Sequence, residues 1–353
     1  MRADRSAWSK SLQQSWSTRG LLAVALLPAA ALFWLLSATR QWLFRRAWLE
    51  TCTLGVPVVV VGNLLVGGAG KTPAVMAVVE LLRRRGFTPG ILSRGYAGSN
   101  SGTLEVQADT EARECGDEPK LMHLRTRAPV IVGRDRVAAG RELLRLHPEV
   151  NVLVSDDGLQ HHRLGRDAQV IVFDERGAGN GWLLPAGPLR ETLGRACPAR
   201  SVVLYNAAQP STHWPGTTAH RALAGIVELG GWWRGESASL ENLEALRGRS
   251  FLAAAGIANP DRFFGLLGQF GLICQTLPLP DHYPYSKLPW PDSEVDVVVT
   301  EKDAVKIDPQ RAGNTRVWVA ALDFRTSPEF DSALMSLLPP ISAQGLHHGS
   351  ASA

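Results

Sequence analysis

Six consecutive residues, Gly67-Gly68-Ala69-Gly70-Lys71-Thr72, have the types and spacing of a loop that grips phosphate. Glycines allow backbone N–H groups to curl around phosphate oxygens, and a helix starting at such a loop adds the partial positive charge of its N-terminus. A lysine after the last glycine can bridge the β- and γ-phosphates of ATP, and the next hydroxyl can ligate Mg²⁺. The usual pattern has a further glycine five positions before Gly70, where this chain has Leu65. Gly67 and Gly68 are expected to supply the flexibility instead.

Further candidates lie downstream. Asp156 and Asp157 follow the apolar run Asn151–Ser155. A carboxylate at the C-terminal end of a parallel strand beside a phosphate loop holds Mg²⁺ directly or through water. Adjacent carboxylates point in different directions, so one of the two is expected to face the metal. The plain alternative is a polar turn closing the strand. Asp117, in Gly116-Asp117-Glu118-Pro119, reads either as a helix N-cap or as a general base for a hydroxyl, and the residues alone favour the cap. His282 stands in a Pro- and aromatic-rich loop, Leu277–Tyr285, and Arg190-Glu191 follow the rigid turn Leu184–Leu189. A short helix is expected after that turn. Arg94, Arg134 and Arg136 close apparent strands, where guanidinium groups suit phosphate, although each alone is also an ordinary surface cation. His161 and His162 are adjacent rather than one helical turn apart, which argues against a zinc site.

The elements that must position these residues follow a βα rhythm. Val58–Val61 reads as a buried parallel strand and Pro73–Arg85 as a helix stopped by Gly86. A second α/β unit is expected from about Arg249. It has a strand at Phe251–Ala255, a helix from Asn259-Pro260, and a strand at Val295–Thr300. Thr300 and Asp303 are spaced as a capping box. The fold class is therefore α/β: a P-loop, mostly parallel sheet domain and a smaller second α/β domain. The expected division is an N-terminal segment 1–50, a nucleotide domain 51–220, a second domain 221–340, and a polar, structureless tail 341–353 containing His347-His348.

Charge is unevenly placed. Residues 1–50 carry seven Lys/Arg against Asp4 and Glu50, which exceeds the whole chain's net +4. A nucleic-acid protein would carry its basic patch on a folded domain, so no nucleic-acid partner is expected. Here the cations flank Leu21–Ala38, eighteen residues without charge. That length is at the lower edge of a membrane span, with Pro28 expected to kink it and Trp34 and Trp42 to sit near the interface. A membrane-anchoring helix is the reading preferred over a buried core helix or a cleaved leader. Four scattered cysteines suggest reduced thiols.

Taken in order, VGNLLVGGAGKTP, SRGYAG, GDEP, VSDDGLQHH, LLPAGPLRE, GIANPDRFF, PDHYPY and TEKDAVK resemble the motifs of the tetraacyldisaccharide 4'-kinase family. The resemblance runs from about Leu21 to Leu322. It implies a loop of the form GGxGKT without the earlier glycine, which accommodates Leu65. It further implies an enzyme of the bacterial inner membrane, facing the cytoplasm. Such an enzyme moves the γ-phosphate of ATP to the 4'-hydroxyl of a lipid A disaccharide precursor. By correspondence of motifs, Asp117 is similar to the family's catalytic base and His282 to its partner. Asp156 and Asp157 are similar to the acidic pair near metal and nucleotide, and Glu191 to a further active-site acid. Because Lys71 and His282 fall in different expected domains, the resemblance suggests a site completed by closure of two lobes. A membrane-associated ATPase that drives protein association is the alternative. It fits less well, because Val66 stands where such loops carry lysine.

Overall fold

The computed structural model describes residues 16–96, 98–100, 102–291 and 293–340. The tail 341–353 and the first basic residues lie outside them. The chain divides into two compact units, Met1–Gly90 with Arg136–Ala219 and Thr326–Ala353, and Ile91–Asp135 with His220–Arg325. The third break along the chain falls at Ala219/His220. Residues 91–135, which were expected in the nucleotide domain, cluster instead with the second unit. The strand Pro89–Ser93 carries the chain out of the first unit, and linear sequence gives no sign of such a crossing.

In the first unit, strand Val58–Gly62 lies between two parallel neighbours, Val152–Asp156 and Ala168–Asp174, with Ser201–Asn206 and Thr217–Thr218 beyond the latter. Val58 to Val61 are buried on both faces, as an uninterrupted β-branched run requires. Each buried valine contributes about 1.5–3 kcal/mol relative to exposure, so the strand is held firmly where the loop leaves it. Helix Lys71–Arg84 buries Ala74, Val75, Val78, Val79, Leu81 and Leu82. That spacing of three and four marks a single apolar face.

The second unit is built on a five-stranded sheet ordered Gln275–Pro278, Leu252–Ala255, Asp296–Thr300, Arg316–Arg325, His220–Glu228. The first four are parallel, and the last is antiparallel to its neighbour. Alternate residues feed two cores: Leu252, Ala254, Val297 and Val299 in one, Ala253, Ala255 and Val298 in the other. This is the period-two signature of a sheet covered on both faces. The unit also holds helix Asp117–Thr126 and the strand pairing of Ile91–Ser93 with Val130–Val132. Helix Pro260–Gln269 forms as expected, although Asn259 makes no side-chain cap bond.

The N-terminal segment departs from expectation. It forms two helices, Leu21–Ala25 and Leu27–Arg45. Pro28 sits in the first turn of the second helix rather than at a kink within one span, because its missing N–H is harmless only there. The longer helix runs on through Arg40, Gln41 and Arg45. Among the described residues, no helix is long and apolar enough to cross a membrane. Its apolar side chains nevertheless point outward: Leu32, Trp34, Leu35, Leu36 and Trp42 are exposed, and Ala30 alone is buried.

Candidate active site

The first unit presents the phosphate loop. Strand Val58–Gly62 ends at Gly62, and helix Lys71–Arg84 starts behind Gly70, whose φ of +83° is left-handed. A Cβ at Gly70 would lie 2.1 Å from Asn206 Nδ2, so glycine is required by both torsion and space. Asn206 Nδ2 in turn donates to Ala69 O at 3.1 Å. Arg176, anchored on Asp174, donates to Val66 O and Gly68 O and supports the outer rim of the loop. Leu65 is a buried anchor where other loops have glycine. Val66 N donates to Pro188 O and Arg190 N donates to Leu64 O, tying the loop to the Leu184–Leu189 turn. Gly67 and Gly70, at φ +97° and +83°, are the left-handed positions of the loop.

Lys71 Nζ donates to Asn63 Oδ1 at 3.2 Å and stands 3.6 Å from Asp157 Oδ1. Arg190 donates to both oxygens of Asp157, at 3.1 and 3.2 Å. Burial raises the Asp157 pKa, but the charges of Lys71 and Arg190 outweigh it and leave the carboxyl below its ordinary value. Asp156 ends its strand directly opposite Val61, one residue before the loop begins, and is buried. Its carbonyl accepts from the buried Arg136. Arg136 thus secures a strand end rather than offering a free phosphate ligand. Asp157 has left the strand, with φ at +49°.

Thr72 lies in the first helical turn, Asp156 ends the neighbouring strand and Asp157 follows it, and each carries side-chain oxygen of the kind Mg²⁺ prefers. Among the described residues, no group of three or more His, Cys, Asp or Glu is placed to hold a metal ion. A magnesium ion here would complete its shell with water and phosphate oxygens, as it does in nucleotide sites.

Glu191 lies beside this cluster and accepts from Gln160 Nε2 and from Gln41 Nε2, both at 3.1 Å. Burial lifts its pKa above the ordinary value despite Arg166 and those amides. The expected short helix is absent. Arg190 and Glu191 sit in irregular chain after a cis Leu184–Pro185 bond, held by the hydrogen bonds to Leu64 and Trp182 that involve the same turn. His162 packs against Phe44 and is pushed down to a pKa of about 4 by burial and nearby arginines.

The second unit brings Asp117 and His282 together. The Asp117 side chain makes no cap bond: Gly116, at φ +95°, is the N-cap residue, and Asp117 is the first helical residue. The cap reading therefore gives way. Asp117 Oδ2 lies 2.9 Å from His282 Nδ1 and 3.4 Å from Lys306 Nζ. Burial raises the Asp117 pKa, but the histidine hydrogen bond and the charges of Lys306 and Lys302 bring it below the ordinary carboxylate value. His282 holds a left-handed φ of +58°, rare for a residue with a side chain, and its N–H is bound by Gly256 O and Asp281. The ring of Tyr96 packs against it, with centroids 6.0 Å apart.

One short segment braces both partners. Thr300 caps the helix Glu301–Ala304, accepting from Asp303 N, but the Asp303 carboxylate turns to Thr300 Oγ1 and Gly256 N rather than to the Thr300 N–H that a full capping box would use. Glu301 accepts from Arg125 on the Asp117 helix, from Trp232 Nε1, and from Leu322 N. Leu322 stands at an irregularity in the pairing of Arg316–Arg325 with the edge strand His220–Glu228, so its N–H needs a partner outside the ladder. Lys302 reaches Glu118 and Asp281, the immediate neighbours of Asp117 and His282. Asp303 accepts from Gly256 N and from Thr300 Oγ1. The sequence alone assigns no site role to Asn63, Arg176, Asn206, Glu301, Lys302 or Lys306. Only TEKDAVK carried a signal, since its acids and lysines recur at helical spacing immediately after a strand.

The class defined by this fold and loop is a P-loop nucleotide-binding α/β protein. Residues 22–339 match the family model described as tetraacyldisaccharide-1-P 4'-kinase. The chain is 53% identical to the tetraacyldisaccharide 4'-kinase of Methylibium petroleiphilum, over 94% of each chain. It is 52% identical to that of Leptothrix cholodnii, over 96% of this chain and 97% of the other. A crystal structure of LpxK from Aquifex aeolicus in complex with ATP superimposes with a TM-score of 0.74. At 27% identity, that match covers 90% of this chain and all of the other. The chain belongs to the tetraacyldisaccharide 4'-kinase family.

Proposed function

We propose that this protein transfers the γ-phosphate of ATP to the 4'-hydroxyl of a tetraacyldisaccharide 1-phosphate, as the lipid A pathway requires. The observation that carries the reading is the hydrogen-bonded Asp117–His282 pair. An ATPase needs only a positioned water, whereas a buried carboxylate oriented by histidine suits removal of a proton from an alcohol.

The nucleotide phosphates lie in the loop of Gly67, Gly68, Ala69 and Gly70, whose N–H groups and helix terminus neutralise them. Lys71 follows the β- and γ-phosphates, exchanging its contact with Asp157 for them. Thr72, Asp156 and Asp157 would hold Mg²⁺, which spreads the charge of the transferring group when bound. Asp117 takes the hydroxyl proton as the sugar oxygen bonds to the γ-phosphorus. The bond from that phosphorus to the bridging oxygen breaks, and ADP leaves. His282 donates to Asp117 and fixes its orientation. Glu191, held by Gln160 and Gln41, acts as a polar contact beside the Asp157–Arg190 cluster.

The exposed apolar side chains of Leu27–Arg45, with Arg40, Arg45 and Arg46 nearby, support attachment at the membrane surface, where the lipid acceptor resides. The proposed location is the inner membrane, with both units on the cytoplasmic side where ATP is available.

The test uses purified protein in detergent, ATP labelled in its γ-phosphate, Mg²⁺ and the tetraacyldisaccharide 1-phosphate. Wild type should label the lipid. Lys71→Ala should lose a factor of about 10²–10³, the scale of removing one charge-stabilising donor. ATP hydrolysis without labelled lipid would overturn the assignment.

A further inference from the structure

We propose that Lys306 is a positioning residue for the reaction: it keeps Asp117 ionised and locks Oδ2, leaving Oδ1 to take the hydroxyl proton. The inference rests on the reading of Asp117 as the base. The Lys306 side chain is 5% exposed, and its Nζ makes ion-pair contacts, without a hydrogen bond, at 3.3 Å from Asp303 Oδ1 and 3.4 Å from Asp117 Oδ2. Asp303 is wholly buried and is itself fixed by Gly256 N and Thr300 Oγ1. A Cβ at residue 256 would meet Asp303 Oδ1 at 2.9 Å, so glycine permits that close approach. The lysine is therefore held from behind by a rigid carboxylate, and its head is shared with a second.

Asp117 Oδ2 is the oxygen that also meets His282 Nδ1, so two groups converge on a single oxygen. Among the described residues, Oδ1 has no hydrogen-bond partner. The Lys306 Nζ also lies over the ring of Tyr285, 5.4 Å from its centroid. Charged or titratable groups face Asp117 from each packed element. These are His282 and Asp281 from the loop, Lys302, Asp303 and Lys306 from the segment after Thr300, and Glu118 and Cys115 along its own chain. The Cys115 thiol is pushed up to about 11 by burial and adds no charge at neutral pH. The two lysines are the cations of the set, and Lys306 is the one in direct contact with Asp117.

A cation in this place has two consequences. It lowers the basicity of Asp117, which weakens the pull on the proton. It also ensures that the unprotonated form is present throughout the working range. The sign is clear: an acid whose folded value is depressed is active above that value and loses function only as pH falls through it.

The experiment compares pH profiles of kcat and kcat/KM for wild type, Lys306→Met, Lys306→Arg and Asp117→Asn. Lys306→Met should keep its KM for ATP and move the acid limb upward. At the acid end it should lose roughly tenfold more activity than on the alkaline plateau. Lys306→Arg restores the charge and should return the limb. Should the single methionine variant not fold, Lys306→Met with Asp303→Asn removes the buried countercharge as well, and the same upward movement is expected. An unmoved limb in the folded methionine variant would overturn the proposal, as would an arginine variant shifted as far as methionine. If Asp117→Asn instead retains wild-type turnover, the base assignment itself has failed. If Asp117→Asn is inactive and the limb stays put, the role of Lys306 alone has failed.

Discussion

Both units set lysine against aspartate, and they do so to opposite ends. In the first unit, Lys71 lies 3.6 Å from Asp157, and their side chains are 11% and 29% exposed. The contact is loose, Arg190 shares the carboxylate, and a phosphate group could replace it without stranding a charge. In the second unit, Lys306 is confined between Asp303 and Asp117, at 0% and 10% exposure. Removing any member there leaves a charge in a medium where it is poorly solvated. The first pair is an exchangeable contact awaiting a ligand, and the second is permanent structure that tunes a reactive group. Ion-pair distance alone does not separate the two roles, whereas burial and the fixing of the far partner do.

The largest test of that contrast falls on Glu301, the buried hub of the second unit. Glu301→Ala leaves the Trp232 N–H and the Leu322 N–H without their acceptor, while Arg125 stays open to solvent. It should lower unfolding free energy by about 2–4 kcal/mol, the scale of leaving two buried donors unsatisfied. Chemical denaturation would measure this, and a loss under 1 kcal/mol, the scale of an exposed pair, would break the comparison. Gly70→Ala probes the exchangeable side. Its φ and the collision with Asn206 should cost about 1–3 kcal/mol, seen as weakened binding of Mg-ATP in calorimetry. Unchanged affinity would mean the loop is softer than its geometry states. The smallest effect belongs to Thr300→Ala, which removes a helix cap and one partner of Asp303. A loss of about 1 kcal/mol is expected from thermal unfolding. A slightly larger fall in kcat than in KM would show that the helix after Thr300 supports Asp117.

The two sites were not equally legible in the sequence. The phosphate loop is local: one strand, one turn and one helix start contain Gly67 to Thr72, so spacing and residue type suffice to find it. Its supports, Asn206 and Arg176, come from later strand ends and carry no local pattern. Asp117 and His282 are 165 residues apart and meet only through tertiary structure, so the residues alone favoured a helix cap. The resemblance to a known family raised Asp117 above that reading, and the geometry explains why it is not a cap: Gly116 occupies that position. The apolar run Leu21–Ala38 was read by its hydropathy, but Pro28 decides where a helix can begin. The discontinuous second unit was also hidden, because residues 91–135 enter it by chain topology rather than by composition.

The central claim is that the nucleotide loop binds ATP while Asp117 serves the hydroxyl. Asp117→Asn tests this most directly, with Mg-ATP binding and single-turnover transfer to the lipid measured on the same preparation. The account predicts wild-type ATP affinity and a transfer rate reduced by about 10²–10⁴. Transfer at the wild-type rate, or ATP affinity falling in step with the rate, would contradict it.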